Sequence, residues 1–321
     1  MKRTRARLDS PFIYAAVGAT ILAIPPSAAA ISAPSQSGSA SPIKVRVKRR
    51  RLDYGRNVVV FGQAPATDQG QTVTLQFWPG GTAGWHGIAS APIGSDGRFR
   101  LVASLYRSGW LSASVAAPTA TASALSTRGP SSTAGSSAPQ RVAVGAALRV
   151  RGRRISDFDG RAIQLRGRLL PEGRGRRVFL QAVQSGRWMT LSSARTGSGG
   201  AFSVRYRPSA PGRERLRVRF AGDRTNAAVS TRAGSLTVYH QTLASWYYDG
   251  GTTACGFHAY YGVANLSLPC GTVVSFSHNG RRVQAVVDDR GPYVGGRVWD
   301  LNQNTAAALG FGGVGAVWSS R

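Results

Sequence analysis

Two stretches of the chain, Val73–Phe77 and Arg176–Val183, alternate apolar and polar residues with period two. That spacing suits a strand with one buried face and does not suit a helix. Turn signals separate such runs every eight to twelve residues. Forty glycines and few glutamates also favour turn-rich β structure over helical bundles. The alternating runs form a repeat: YGRNVVVFGQ, GQTVTLQFW and GWHGIASAPIGSDGRFRL are followed later by DGRAIQLRGR, GRRVFLQAV and GRWMTLSSARTGSGGAFSVRY. Each copy has the order strand, turn, strand, a Trp beside Gly, strand, Gly-rich turn, strand. The expected fold class is mainly β, with two tandem Ig-like β-sandwich modules at 43–117 and 141–240. Trp85 and Trp188 hold matching places in the repeat and are expected to anchor the two cores.

Charge divides the chain differently. The formal net charge is +28, of which +24 lies in residues 43–240, while residues 241–321 carry only +1. A basic field of that size attracts polyanions such as anionic wall polymers or an acidic membrane surface. Specific nucleic-acid recognition is not expected, because the sequence has no metal finger, basic helix or RNP-type aromatic motif. At the N-terminus, MKRTRAR precedes the apolar run Phe12–Ile24, then Pro25-Pro26 and small residues ending near Ala30. This reads as a signal peptide over 1–30, and hence export to the wall or the exterior. An uncleaved signal acting as a membrane anchor is the alternative, although the run is short for a span. Residues 31–42 and 118–140 are rich in small and polar residues and read as linkers.

The last segment, 241–321, contains both cysteines, Cys255 and Cys270. In an exported domain they most simply form a disulfide, with a free thiol as the alternative. Two sulfurs and four scattered histidines do not make a metal site, and no cofactor is implied. Asn279-Gly280 joins two apolar runs and predicts a hairpin. Asn302 is suited to cap a short helix through Ala306–Leu309, ended by Gly310, and GVGAVWSSR reads as a final strand.

Three of the chain's 13 acids lie in VVDDRGPYVGGRVWDL, residues 286–301. Period two puts Val283, Ala285, Val287 and Asp289 on the core face, with Asp288 turned to solvent beside Arg282. Asp289 is then expected at the rim of an apolar wall, where desolvation raises a carboxyl pKa into the range of a general acid. A structural contact with the following Arg-Gly-Pro turn is the alternative. Asp300 is expected to serve structure by facing the N-terminal dipole of the helix.

The motifs ASWYYDGG-TTACG, GVANLSLPCGT, VVDDRGPYVGGRVWDL and AAALGF-GGVGAVW resemble the rare lipoprotein A-like family. Its six-stranded double-psi β-barrel occurs in septal lytic transglycosylases and, more distantly, in expansins. The resemblance spans roughly 243–318. It implies peptidoglycan as substrate and non-hydrolytic cleavage of its glycan strands to 1,6-anhydro-muramic ends. It also implies Asp289 as the acid/base, with Arg290 and Tyr293 beside the groove. Trp246, Tyr247 and Tyr260 are candidates for contact with sugar rings. Family members carry a His where this sequence has Asn265, an amide that hydrogen-bonds without titrating. His258 is the candidate to stand in for it. The competing expectations are a non-catalytic, expansin-like barrel that binds or loosens wall polysaccharide, and a structural surface protein that binds no glycan.

Overall fold

The computed structural model describes residues 43–116 and 133–321. The expected signal peptide, the first linker and most of the second lie outside the described residues.

In the first module, a three-stranded sheet of Lys44–Val47, Arg56–Gln63 and Arg98–Leu105 faces a larger sheet. The larger sheet contains Thr72–Pro79, His86–Pro92 and Gly109–Ala116. Inward residues of both sheets, among them Val58, Val60, Leu101, Val73, Leu75 and Leu111, share one core. Two segments differ from the sequence expectation. Thr133–Ser136, assigned by composition to the linker, pairs with Gly109–Ala116. Gln140–Val144, which begins at the last residue expected in the linker and runs into the second module's expected start, pairs with Gly109–Leu111 and buries Val142 and Val144 in the first core. Short polar strands of this kind form because a neighbouring edge supplies their hydrogen bonds, which composition does not reveal.

The second module sets Ala147–Val150, Ile163–Leu170 and Ala201–Tyr206 against a larger sheet. That sheet runs Arg187–Arg195, Arg177–Gln184, Gly212–Phe220, Val229–Tyr247, with Arg153–Phe158 parallel to the last. The modules meet through backbone bonds, Ser108 N to Thr225 O at 2.7 Å and Ala227 N to Val144 O at 2.8 Å. Trp188 is not a core anchor. It sits on the outer face with the Arg217 guanidinium 4.1 Å from its ring centroid. Trp85 is half-buried, edge-on to Trp78, and outside the core cluster.

The strand Val229–Tyr247 is 19 residues long and serves two domains. Its first half completes the second module. Its second half pairs with Trp299–Asn302 and Gly315–Ser319. Gly262–Ala264, Val273–His278 and Arg281–Asp289 then close a six-stranded barrel. The barrel and the second module therefore continue one another through covalent strand, and Phe158 also stacks on Trp318 at 4.0 Å.

Local signals in the barrel appear where the sequence placed them. Asn279-Gly280 turns the hairpin with positive φ at both residues (44° and 80°), the geometry of a type I′ turn. The helix spans Gln303–Leu309, with the Asn302 side chain accepting from Thr305 N and Gly310 left-handed at φ 62°. Val283, Ala285 and Val287 enter the core with Phe276, Trp299 and Leu301.

Candidate active site

The alternation of Arg281–Asp289 fails at its last turn. Pairing with Gly262–Ala264 shifts register between Val263 and Ala264, so Val263 opposes Val287 while Ala264 opposes Asp289. This irregularity leaves both Val287 and Asp288 facing inward. Asp288 is fully buried, contrary to the solvent-facing position expected from period two. Its Oδ2 accepts from Ala259 N at 2.8 Å and its Oδ1 from Val263 N at 3.0 Å. Gly262 makes room for it, since a Cβ there would lie 2.1 Å from Asp288 Oδ2. The desolvated carboxyl is thus Asp288, whose pKa burial raises, partly countered by the two backbone donors. Asp288 pins the loop across the barrel end.

Asp289 is half-buried and differently employed. Its Oδ1 accepts from Ala254 N and from Arg290 N, both at 2.8 Å. No hydrogen bond engages its Oδ2 among the described residues. One oxygen orients the carboxyl group, and the other is available to an incoming group.

The charges of all four carboxylates of the terminal segment act on one phenol. The Tyr247 pKa is driven upward by burial first, then by the charges of Asp288, Asp289, Asp249 and Asp300. Its hydroxyl is buried without a hydrogen-bond partner among the described residues. Asn302 caps the helix, as expected, and Asp300 stands two residues before that cap. It lies near Ser245, Arg297 and Asp289, and burial raises its pKa while Ser245 and Arg297 oppose that rise. His258 joins the cluster from the exposed side, its Nδ1 2.9 Å from Asp249 Oδ1. The bond to Asp249 raises the His258 pKa, and the charges of Asp288 and Asp289 act in the same direction.

Other candidates have different employment. Asn265 is buried, its Oδ1 accepting from Ser267 N and Leu268 N and its Nδ2 donating to Val298 O. It fastens the loop, with its Oδ1 and one of its two Nδ2 hydrogens engaged. Arg290 turns back to the same loop, with Nη1 donating to Asn265 O and Leu268 O, and Nη2 3.1 Å from Cys270 Sγ. Cys255 and Cys270 are joined in a disulfide. Of the expected sugar contacts Tyr260 and Tyr293 are open, 73% and 81% exposed, and Tyr293 Cε2 lies 3.7 Å from where a Cβ would stand on Gly291. Trp246 is half-buried and packs edge-on against exposed Tyr248. Asp249 was not singled out from sequence. Its signal was scarcity, as it is the one remaining acid of a segment with only four.

The family described as lytic transglycolase matches residues 239–318. With the closed six-stranded topology, that match decides the matter for this part of the chain. The C-terminal quarter is an RlpA-like double-psi barrel. Over 81 residues the chain is 43% identical to the probable endolytic peptidoglycan transglycosylase RlpA of Aquifex aeolicus. Over 85 residues it is 40% identical to the protein of the same description from Synechocystis. These alignments take in 22% and 23% of this chain, and 35% and 26% of the relatives' own lengths. The RlpA-like barrel is therefore the shared part, and both β modules lie outside it.

Proposed function

We propose that the protein is exported and that its RlpA-like barrel cleaves peptidoglycan glycan strands as a lytic transglycosylase, with Asp289 as the single acid/base. The carrying observation is the split of the adjacent carboxylates. Asp288 is buried and committed to two loop amides, whereas Asp289 Oδ2 has no hydrogen-bond partner among the described residues and the Asp289 charge acts on Tyr247 and His258. In the proposed step, Asp289 Oδ2 delivers its proton to the glycosidic oxygen as the C1–O bond breaks. The muramic C6 hydroxyl attacks C1, and Asp289 takes the proton from that hydroxyl. The products are a 1,6-anhydro end and a new 4-hydroxyl end, and Asp289 finishes protonated for the next cycle. Tyr260 and Tyr293 supply sugar-facing surfaces. His258, held by Asp249, takes the orienting role that Asn265 cannot fill because an amide does not titrate and its oxygen is committed to the loop. We read the two basic β modules as Ig-like spacers that also draw the protein to anionic wall polymer.

The engagement of Asn265 supports a second reading, a barrel that holds glycan without cutting it. Incubating the full chain with purified peptidoglycan and analysing the soluble products by mass spectrometry separates the two. Anhydro-muramic ends that disappear in Asp289→Asn support the transglycosylase. Retention of both proteins on sacculi without products supports the binding barrel. Failure of either protein to bind sacculi contradicts both.

A further inference from the structure

The shared strand Val229–Tyr247 has an outer face where the second module meets the barrel. In that sheet Arg154 lies in register with Ser235, and Arg213 with Thr237, so these four side chains project to one side. Arg282 and Ser275 of the barrel border the same cleft, which has a volume of about 400 Å³ and no acidic lining residue. Neither Arg154, Arg213 nor Arg282 forms an ion pair or a side-chain hydrogen bond among the described residues. Arg154 also borders an adjoining hollow of about 600 Å³ with Arg151 and Arg166. The one acid there, Asp157, has its Oδ1 engaged by Phe158 N at 2.8 Å. Arg154 and Ser156 border both hollows, so the five arginines outline one track, with hydroxyl groups from Ser156, Ser235, Thr237 and Ser275.

We infer that this track is a binding site for a linear polyol-phosphate polymer. Arginine forks match phosphate oxygens, and the serine and threonine floor can bond both phosphate and polyol hydroxyls. Arg154 and Arg213 flank one intervening strand, so they stand roughly 10 Å apart across the sheet, within reach of successive phosphates on one extended chain. Single-stranded nucleic acid fits less well. Such sites stack bases on open aromatic rings, and the one aromatic lining the cleft, Tyr239, is buried. The inference deepens the wall-polymer reading above, but it needs no catalysis by Asp289.

The test measures binding of poly(glycerol phosphate) to the full chain across a salt series. The variants are the triple R154Q/R213Q/R282Q, each of its single changes, and the control triple R100Q/R141Q/R174Q, which removes equal charge from exposed sites elsewhere. Each phosphate contact adds about 0.7 to the log–log salt slope for a single-stranded polyanion. The cleft triple should lower the slope by about 2 and weaken binding roughly 100-fold near 0.1 M salt. Each single change should lower the slope by about 0.7, and the control triple should change affinity by less than about threefold. Equal losses in both triples, or no loss in the cleft triple, would overturn the site. Tighter cleft-dependent binding of a single-stranded oligonucleotide would overturn the assigned ligand. Asp289→Asn should bind the polymer like wild type, so a barrel without transglycosylase activity leaves the result intact.

Discussion

Replacing Asp288 by Asn keeps the side chain's size but turns one acceptor into a donor. In the native site the two carboxylate oxygens receive Ala259 N and Val263 N at 2.8 and 3.0 Å in a fully buried pocket. The amide can accept from only one of them and presents N–H to the other. Leaving a buried amide unsatisfied costs about 1–3 kcal/mol. Relief of carboxylate desolvation offsets part of this, so we take roughly 2 kcal/mol as the net loss. For a cooperative unit of 150–250 residues that corresponds to a fall in Tm of about 4–8 °C. Circular dichroism melts of the full chain, with Asp289→Asn in parallel, would measure it. Asp289→Asn retains an acceptor toward Ala254 N and should change Tm by less than about 2 °C. The native Asp288 pKa is raised by burial, so folded protein holds this proton more tightly than unfolded chain. The stabilising contribution of proton uptake is present in acid and is lost as pH rises through the raised value. The gap between wild type and Asp288→Asn should therefore widen toward acid pH. Equal melting of wild type and Asp288→Asn, or a larger drop for Asp289→Asn, would refute the assignment of roles.

Opening the Cys255–Cys270 bridge, with its separation of 15 residues, should destabilise the barrel by about 3 kcal/mol, seen as a lower denaturant midpoint for the double Ser variant. Gly262→Ala pushes a methyl group onto the Asp288 carboxylate and should cost at least about 2 kcal/mol, with a lower Tm even where expression is normal. Arg290→Ala leaves the Asn265 and Leu268 carbonyls without their donor and should raise amide exchange in residues 265–270. Burial raises the Asp288 and Asp300 pKa values, and Asp249 raises that of His258. All three groups favour the protonated folded state, so barrel stability should decline as pH rises from about 4 to 7, a trend that calorimetry across buffers would test.

Features governed by neighbours in sequence were legible before the fold was known. The Asn279-Gly280 turn and the Asn302 and Gly310 caps depend on backbone preferences of one or two residues, and each appears in place. The core face of Arg281–Asp289 was legible as far as Val287. Beyond it, the register shift against Gly262–Ala264 reversed the environments expected for Asp288 and Asp289, and that shift belongs to the partner strand. Trp188 was misread because a large aromatic in a repeat can lie beneath an arginine as readily as in a core. The joint between second module and barrel was invisible for a similar reason. Nothing in the residues around Val238 marks a strand that changes partners midway. The four acids that act on Tyr247 come from three segments: Asp249 follows it by two residues, and barrel closure brings the Asp288-Asp289 pair and Asp300 to it.

The most direct measurement digests purified peptidoglycan with the full chain in ¹⁸O-enriched water and weighs the products. Intramolecular attack by the C6 hydroxyl under Asp289 predicts anhydro-ended fragments with no ¹⁸O at the muramic end, and their absence with Asp289→Asn. Reducing ends carrying ¹⁸O would show that water is the nucleophile and would contradict the mechanism. Unlabelled anhydro ends that persist in Asp289→Asn would contradict the choice of acid/base.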